Sequence, residues 1–290
     1  MHYIATRLAM AAVRPQADDT WLDVTDPDNV VMYERDFTGK WVPSSRKPPM
    51  PRADYTIAPN VNGGDGDELQ VRSIFATIQG EGPFSGRRAT FIRLTGCNLR
   101  CFWCDTEWSD TGDARLSLDE IMGRVRNVNF AYSNANPLVV ITGGEPVRQP
   151  LGPLLNRLTA CGCDVQIETA GTLWQPVLEF RTINGRALTI VCSPKTPRIH
   201  PYIFARADAF KYVLRHGEVS LDDMLPSRST QIPGAYARLR PPREGAPVYV
   251  TPCDTGDERL NARNRETVAE AAKRHGYIAQ VQIHKLMGVP

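Results

Sequence analysis

Three of the seven cysteines in this chain lie within eight residues, at Cys97, Cys101 and Cys104. The segment reads Gly-Cys-Asn-Leu-Arg-Cys-Phe-Trp-Cys-Asp-Thr, which gives the spacing Cys-x3-Cys-x2-Cys. Such close clustering is more typical of metal or redox chemistry than of structural disulfides. A structural zinc site needs a fourth Cys or His, whereas three thiolates can hold three irons of a 4Fe–4S cluster and leave the fourth iron open. The spacing therefore favours an open 4Fe–4S cluster, with a zinc site as the alternative.

Further residues capable of chemistry follow the ends of apolar, strand-like segments. The tetrapeptide Gly143-Gly144-Glu145-Pro146 follows PLVVIT, and Ser193-Pro194-Lys195 ends LTIVCSPK. Glu168 lies at the end of DVQIE, and His284 ends the final strand-like segment, YIAQVQIH. The carboxyl ends of the strands in a parallel α/β barrel lie on one rim, where active sites are built. The sequence therefore predicts one composite site that includes the cysteine loop.

The elements that must position these residues follow from hydrophobic patterning. Two β-type segments, VRSIFATIQ and ATFIRLTG, are joined by a glycine-rich turn and predict a pair of strands. Ser117 and Glu120 form a capping-box sequence that opens a helix through about Val128. Five apolar β-like segments follow, and DERLNARNRETVAEAAKRH predicts a longer helix that stops at Gly276. With the final segment, these strands predict an α/β chain with a partial (β/α)6-type barrel, open rather than eight-fold.

Length and composition limit the class of protein. The 290 residues are 42% hydrophobic and 23% charged, which are ordinary values for a globular chain. The net charge of +2 gives no basic excess that would predict nucleic-acid binding, and no apolar run approaches the ~20 residues that span a bilayer. Residues 1–68, which include a proline-rich run and the glycine-rich NGGDGDE, are interpreted as an N-terminal extension and linker, and residues 69–290 as the barrel. The clustered cysteines lead us to expect a cytoplasmic protein.

The cysteine loop and the Gly143–Pro146 tetrapeptide resemble the cluster-binding and Gly-Gly-Glu-Pro motifs of radical S-adenosylmethionine enzymes. The glycines are expected to let the backbone approach the amino group of the cofactor. Within this superfamily the chain is similar to the 7-carboxy-7-deazaguanine synthases over roughly residues 71–290. One departure is Ala170, where members of that family commonly have Asn. The matching segments are Gln79-Gly80-Glu81-Gly82, the cysteine loop through Asp105-Thr106, Ser193-Pro194-Lys195, and His284-Lys285-Leu286-Met287-Gly288-Val289-Pro290.

The resemblance implies a carbon–nitrogen lyase of 7-deazapurine and queuosine biosynthesis. Such an enzyme converts 6-carboxy-5,6,7,8-tetrahydropterin into 7-carboxy-7-deazaguanine with loss of ammonia. It also implies three cofactors: a 4Fe–4S cluster, S-adenosylmethionine and Mg²⁺. In the family, the reduced cluster cleaves S-adenosylmethionine, and the resulting radical takes hydrogen from C6 of the pterin. An electron donor such as flavodoxin or ferredoxin, and a homodimeric assembly, are expected on the same ground.

Roles for individual residues follow from this resemblance and from the chemistry of each side chain. Gln79, Glu81 and Glu168 suit the donor and acceptor edge of a pterin, and Arg93 suits its carboxylate. The hydroxyl of Thr106 is a hard oxygen ligand that suits Mg²⁺. Cofactor contacts are expected from Gly143, Gly144, Glu145, Ser193, Lys195 and Asp105.

Two features of the sequence have more than one interpretation. Lys211, a charged residue within the apolar AFKYV, either lines the site or extends from its strand to solvent. The segment after His284 is expected to fold over the rim, because Gly288 permits a sharp turn and Pro290 loses little entropy on ordering. The resemblance implies that His284 and the terminal carboxylate of Pro290 bind the substrate. The alternative is a tail held only by packing of Leu286 on the barrel.

Two other functions are compatible with the cysteine loop. An activase of glycyl-radical enzymes shares the cysteine spacing and the small size, but it needs a surface that receives a protein loop. A non-catalytic iron–sulfur or zinc module binds metal without cleaving S-adenosylmethionine. The turn at 79–82 and the segment 284–290 favour the pterin enzyme over the activase. A 4Fe–4S spectrum together with reductive cleavage of S-adenosylmethionine would exclude the module.

Overall fold

The computed structural model describes residues 64–105, 114–130 and 137–290, together with the backbone of three short strands nearer the N-terminus. These strands, β1 (Trp21–Asp23), β2 (Val31–Arg35) and β3 (Trp41–Pro43), form an antiparallel sheet in that order. They fall within the predicted extension, whose boundary at residue 68 stays a prediction. Asp67, beside that boundary, accepts a hydrogen bond at its carbonyl from the N–H of Leu118, at 2.9 Å.

A larger sheet carries the predicted site. Its path has the order β13-β12-β11-β10-β8-β7-β5-β4-β6, and β9 pairs with β10 beside the path. The strands are β4 (Glu68–Ile78), β5 (Arg88–Leu94), β6 (Ala114–Ser117), β7 (Leu138–Gly143), β8 (Asp164–Thr169), β9 (Thr182–Ile183), β10 (Arg186–Cys192), β11 (Ala209–Leu214), β12 (Val248–Pro252) and β13 (Ile278–Ala279).

The pairing within this sheet matches the expected open barrel. β4 runs antiparallel to β5 and β6, whereas every neighbouring pair on the path from β5 to β13 is parallel. Six of the parallel strands are at least five residues long, and β13 has only two. Because the path has two ends, the sheet is not closed. The predicted α/β chain with an open, partial barrel is therefore confirmed, as is the predicted pairing of β4 with β5.

The helices of the described residues are α1 (Leu118–Phe130), α2 (Gly152–Ala160), α3 (Pro201–Arg206), α4 (Glu258–His275) and α5 (Ile283–Leu286). Short 3-10 turns lie at Gly82–Phe84, Pro146–Arg148 and Pro176–Glu179. Within the described part of the chain, none of the helices combines the length and the apolar character needed to cross a membrane.

The predicted helix ends are confirmed by their capping contacts. The N–H of Ser117 donates to Glu120 Oε2 at 2.8 Å, and the N–H of Glu120 donates back to Ser117 Oγ at 3.3 Å. This reciprocal pair is the capping box that opens α1. At the end of α4, Gly276 has a φ of 69°, the left-handed conformation that terminates a helix at low cost for glycine.

The parallel strands are buried on both faces, as β7 shows. Val139 and Ile141 pack in the large core with helical residues such as Leu154, whereas Leu138 and Val140 pack in a smaller cluster on the other face. Parallel sheets covered on both sides contain near-continuous runs of Val, Ile and Leu for this reason. Arg93 and Glu168, which line the site, lie near the carboxyl ends of β5 and β8.

The prediction of a final strand that ends at His284 is wrong beyond the first residues of that segment. The segment 277–284 forms only the two-residue β13, and His284 lies in α5 rather than at the end of a strand. The side chain of Gln280 explains the early stop, because its Oε1 accepts from Gly82 N–H at 2.6 Å and its Nε2 donates to Gly82 O at 2.9 Å. These contacts turn the chain toward the 79–82 segment instead of continuing the ladder.

Candidate active site

One cavity of about 420 Å³ lies at the carboxyl ends of the parallel strands, a size typical of small-molecule sites. Two of the predicted site residues do not line it: Glu145, whose side chain is buried beneath it, and Thr106, which lies outside the described residues. The predicted residues that line it are Gln79, Glu81, Arg93, Cys97, Cys101, Cys104, Asp105, Gly143, Gly144, Glu168, Ser193, Lys195, His284 and Pro290. The expectation of one composite site therefore agrees with the geometry.

The start of the cysteine loop is fixed by backbone contacts with the Gly143–Pro146 segment. The N–H of Gly144 donates to Leu94 O at 3.1 Å, and the N–H of Glu145 donates to Gly96 O at 2.9 Å. A Cβ on Gly143 would lie 2.0 Å from Leu94 O, and one on Gly144 would lie 2.1 Å from Gly96 O. Both glycines are thus required by close packing against the neighbouring backbone, whether or not a cofactor approaches them.

Glu145 has a different position from the one expected of a cofactor contact. Its Oε1 accepts from the N–H of Val147 at 3.1 Å and from Thr169 Oγ1 at 2.8 Å, and its Oε2 accepts from the N–H of Ala170 at 2.8 Å. Burial raises the pKa of this carboxyl, while the three hydrogen bonds act in the opposite direction. Because its oxygens accept from the Thr169 hydroxyl and from the N–H of Ala170, Glu145 ties the Gly-Gly-Glu-Pro turn to the end of β8.

The three predicted cluster ligands face the same cavity. Burial, followed by the nearby Glu145 carboxyl, raises the pKa of the Cys97 thiol to about 12, and Cys101 and Cys104 add to the effect. Since cysteine binds metal as the thiolate, cluster assembly has to displace a proton from Cys97. The N–H of Leu99 already points at Cys97 Sγ, at 3.4 Å.

The three thiols have two candidate metal groups, a zinc ion and a 4Fe–4S cluster. The described residues contain no group of three His, Cys, Asp or Glu side chains arranged to hold a single ion. A structural zinc ion needs four ligands around one centre, whereas a 4Fe–4S cluster takes each thiolate on a different iron and so keeps its ligands further apart. All three thiols line one cavity, an arrangement that suits a cluster held by three thiolates.

Polar side chains from three segments form a connected network that lines the same cavity. Lys211 Nζ lies 2.7 Å from Glu81 Oε2 and 3.4 Å from Glu168 Oε2, and Gln79 Nε2 donates to Glu168 Oε1 at 3.0 Å. Burial alone would lower the pKa of Lys211, but the carboxylates of Glu168 and Glu81 outweigh it and raise that pKa. With its side chain only 8% exposed, Lys211 lines the site and does not extend to solvent.

Arg93 enters the cavity from β5. Its guanidinium lies over the ring of Phe75, 5.2 Å from the centroid, and Phe75 in turn stacks on Phe91. Within the described residues no carboxylate of the chain forms an ion pair with Arg93. A cation held in place by aromatic stacking and facing a cavity is suited to an anionic ligand.

Ser193 and Lys195 form a pair on the cluster side of the cavity. Lys195 Nζ donates to Ser193 Oγ at 2.6 Å and to Ser193 O at 3.0 Å, and it lies 5.8 Å from the ring centroid of Trp103 in the cysteine loop. Burial lowers the pKa of Lys195. The pair joins the end of β10 to the cysteine loop, where a bound cofactor would lie between them.

The last residues of the chain fold back into the cavity. After α5, the N–H of Val289 donates to His284 O at 3.0 Å, and the N–H of Gly288 donates to Lys285 O at 3.2 Å. These two bonds form a Schellman motif, in which Gly288 has the left-handed φ of 66°. This turn brings the main-chain oxygen of Pro290 to the hydroxyl of Thr77 on β4, which donates to it.

Side chains secure the same segment from both sides. His284 lies so close to the 79–82 turn that a Cβ on Gly80 would be 1.9 Å from its Nδ1. Lys285 Nζ lies 3.1 Å from Asp254 Oδ2 and 3.5 Å from Asp105 Oδ2. Burial alone would raise the pKa of Asp105, but the nearby Lys285 ammonium outweighs burial and lowers that pKa. Leu286 is 76% exposed, so the alternative of a tail held only by Leu286 is wrong.

Sequence reasoning missed four residues that shape the site. Thr77 and Gln280 hold the tail, Lys285 pairs with Asp105, and Gln231 contacts the cysteine loop. Each acts through a partner more than 100 positions away, so no local pattern marks it. Lys211 did carry a signal, because a charge inside an apolar strand of a parallel sheet must find a buried partner.

Comparison with known proteins agrees with this geometry. A 7-carboxy-7-deazaguanine synthase of Rhodospirillum rubrum is 45% identical over 233 residues, which cover 78% of this chain and 94% of that protein. The synthase of Rickettsia prowazekii is 37% identical over 237 residues, 79% of this chain and 92% of that protein. The crystal structure of QueE from Escherichia coli matches with a TM-score of 0.52 at 23% identity, over 74% of this chain and 94% of that one. No family model matches the chain.

The open α/β sheet, with a three-cysteine loop after its first parallel strand, is the fold that this chain shares with the QueE structure. At the level of sequence, the likeness to the synthases extends over most of the chain and over nearly the whole length of each relative. The chain belongs to the 7-carboxy-7-deazaguanine synthase family.

Proposed function

We propose that this chain converts 6-carboxy-5,6,7,8-tetrahydropterin into 7-carboxy-7-deazaguanine with release of ammonia, as a lyase of 7-deazapurine biosynthesis. The observation that carries the proposal is that the three cysteines and the Gln79–Glu168–Lys211–Glu81 network line the same cavity. A cluster and a polar small-molecule site within one cavity are what radical chemistry on a pterin requires.

The cluster side of the cavity is suited to two cofactors. Cys97, Cys101 and Cys104 would each hold one iron of a 4Fe–4S cluster and leave the fourth iron open. Ser193 and Lys195 are placed to bind the polar groups of S-adenosylmethionine. When bound, the cluster and S-adenosylmethionine supply the radical that begins the reaction, and the protein supplies position and shielding.

The polar network in the cavity is suited to the pterin. Glu81 and Glu168 accept hydrogen bonds from Lys211, and their carboxylate oxygens can also receive the N–H groups of the ring. Arg93 would pair with the substrate carboxylate, for which the chain itself offers no competitor among the described residues. His284 and Pro290 would close the cavity behind the ring and exclude water.

Mg²⁺ is the third cofactor of the proposal. Thr106 would supply a hydroxyl ligand and the substrate carboxylate an oxygen, since Mg²⁺ takes few protein ligands and keeps several waters. Asp105 precedes Thr106, but its carboxylate faces Lys285. Substituting Thr106→Val should reduce stimulation by Mg²⁺ at unchanged iron content. Equal Mg²⁺ dependence of the variant and the parent protein would remove Thr106 from the metal site.

The proposal also includes two partners. A one-electron donor such as flavodoxin or ferredoxin would reduce the cluster, because cleavage of S-adenosylmethionine consumes an electron. A homodimer and a cytoplasmic location stay predictions from the family and from the cysteine usage. The composition supports no nucleic-acid partner, given the net charge of +2.

An anaerobic turnover assay tests the function. Protein reconstituted with iron and sulfide is mixed with the carboxytetrahydropterin, S-adenosylmethionine, Mg²⁺ and dithionite, and the deazaguanine and ammonia are measured. Equal yields of both products are expected, with none when S-adenosylmethionine is omitted. Cofactor cleavage without any deazaguanine would favour the activase, and an absence of cleavage by a protein with a full cluster would favour a non-catalytic module.

A further inference from the structure

The long connection between β11 and β12, residues 215–247, packs directly on the cysteine loop. The N–H of Phe102 donates to Thr230 O at 3.0 Å, and the N–H of Arg100 donates to Gln231 Oε1 at 2.6 Å. The other end of the same amide, Gln231 Nε2, lies 3.0 Å from Cys101 Sγ. One side chain outside the cysteine loop therefore contacts both the backbone and a sulfur of that loop.

The orientation of this amide is fixed by its neighbours. The N–H of Arg100 requires an acceptor, so Gln231 Oε1 must face it and Nε2 must face the sulfur. Thr230 Oγ1 donates its hydrogen to Lys195 O at 2.8 Å, which leaves its lone pairs to accept from Gln231 Nε2 at 2.6 Å. One amide hydrogen is thus taken by Thr230, and the second is directed at Cys101.

We propose that Gln231 raises the reduction potential of the 4Fe–4S cluster. This inference rests on the proposed function, which places that cluster on Cys101. Gln231 acts as a positioning residue by donating an N–H to the Cys101 thiolate. Reduction adds one electron from the external donor, and the charge on the cluster and its thiolates becomes more negative. A hydrogen bond to a thiolate stabilises the more negative state more strongly, so the cluster accepts the electron more readily.

The test is an anaerobic potentiometric titration of the reconstituted protein without S-adenosylmethionine, in which the signal of the reduced cluster is followed by electron paramagnetic resonance. Gln231→Leu should make reduction less favourable by roughly tenfold, which is about 59 mV for one electron. The matched control is Ile232→Ser, a change at the next residue, whose side chain is 42% exposed. The control should keep the potential of the parent protein.

A second variant separates tuning from loop support. Gln231→Glu keeps an acceptor for the N–H of Arg100 but places a carboxylate, which donates nothing, beside the sulfur. It should retain the cluster and lower the potential at least as far as Gln231→Leu does.

Two outcomes would overturn the proposal. One is an unchanged potential in both Gln231 variants at full iron content, and the other is loss of the cluster from both, which would limit Gln231 to holding the loop. A parent protein that assembles no 4Fe–4S cluster would instead contradict the proposed function. Iron content and cofactor cleavage by the parent protein distinguish the two failures.

Discussion

The cavity has two walls that are held in place by different kinds of contact. The cluster wall, formed by residues 96–104 with Gly143 and Gly144, is fixed by backbone hydrogen bonds to β5 and by glycines packed against carbonyl oxygens. The tail wall, formed by residues 79–82 with 280–290, is fixed mainly by side chains that include Gln280, His284 and Lys285. Damage to the first wall should therefore disturb the fold as well as the cluster, whereas damage to the second should change substrate affinity alone.

The largest effect is expected from loss of a cluster ligand. Cys97→Ala leaves two thiolates, too few to hold a 4Fe–4S cluster, so iron content and activity should fall to background. Cys253→Ala is the matched control, because Cys253 lines the same cavity but lies outside the spacing motif. The Cys253 variant should keep the iron content and the activity of the parent protein, as measured by iron analysis and turnover. A Cys97 variant with a complete cluster and normal cofactor cleavage would refute the ligand assignment.

A methyl group added to the cluster wall should be the next most harmful change. Gly144→Ala places a Cβ 2.1 Å from Gly96 O, and backbone cannot move away without breaking the adjoining hydrogen bonds. We expect a loss of about 3 kcal/mol or more in the free energy of unfolding, together with poor cluster assembly. Denaturant unfolding of the apoprotein measures the first and iron analysis the second.

The control for this change is Gly123→Ala in α1, where a Cβ meets nothing within 4 Å. Alanine favours a helix over glycine by up to about 1 kcal/mol, so this variant should be as stable as the parent or more so. A Gly144→Ala variant as stable as the parent protein would show that the backbone of the cluster wall can move to accept a methyl group.

The same substitution in the tail wall should act differently. Gly80→Ala places a Cβ 1.9 Å from His284 Nδ1, but the atom it meets belongs to a ring that can rotate away. We expect the KM for the pterin to rise about tenfold, which corresponds to roughly 1.4 kcal/mol, at unchanged iron content and stability. Steady-state kinetics measure the change. Loss of iron in this variant would mean that the two walls are not independent.

A smaller effect is expected from the contact between Thr77 and Pro290. Thr77→Val preserves the shape of the side chain but removes the hydroxyl that donates to the main-chain oxygen of Pro290. Loss of one hydrogen bond should cost about 1 kcal/mol, or roughly fivefold in kcat/KM. Thr182→Val, on the exposed strand β9, is the isosteric control and should match the parent. Identical kinetics for all three proteins would show that this contact does not hold the tail.

The contrast between the walls also explains how much of the molecule the sequence predicts. The strands, the capping box of Ser117 and the cysteine spacing are local patterns, and they predicted the cluster wall and the open barrel. The need for Gly143 and Gly144 was predicted only in part, because the backbone atoms that they approach belong to the end of β5 and to the start of the cysteine loop.

The tail wall was harder to predict because its contacts join distant parts of the chain. The alternation in YIAQVQIH favoured a strand, but Gln280 binds the backbone of Gly82, 198 positions away, and the chain turns there. Glu145 was expected at the cofactor because of its motif, whereas its carboxylate is used by the backbone at the end of β8. A local pattern identifies such residues but does not show which partner a side chain reaches.

The central claim is that the pterin is held against the cofactor within this one cavity, and transfer of deuterium tests it most directly. The reconstituted protein is given substrate deuterated at C6, with S-adenosylmethionine and a reductant, and the 5′-deoxyadenosine formed is analysed by mass spectrometry. The account predicts that deuterium appears in 5′-deoxyadenosine as the deazaguanine is formed. Unlabelled 5′-deoxyadenosine, with the pterin recovered unchanged, would contradict it.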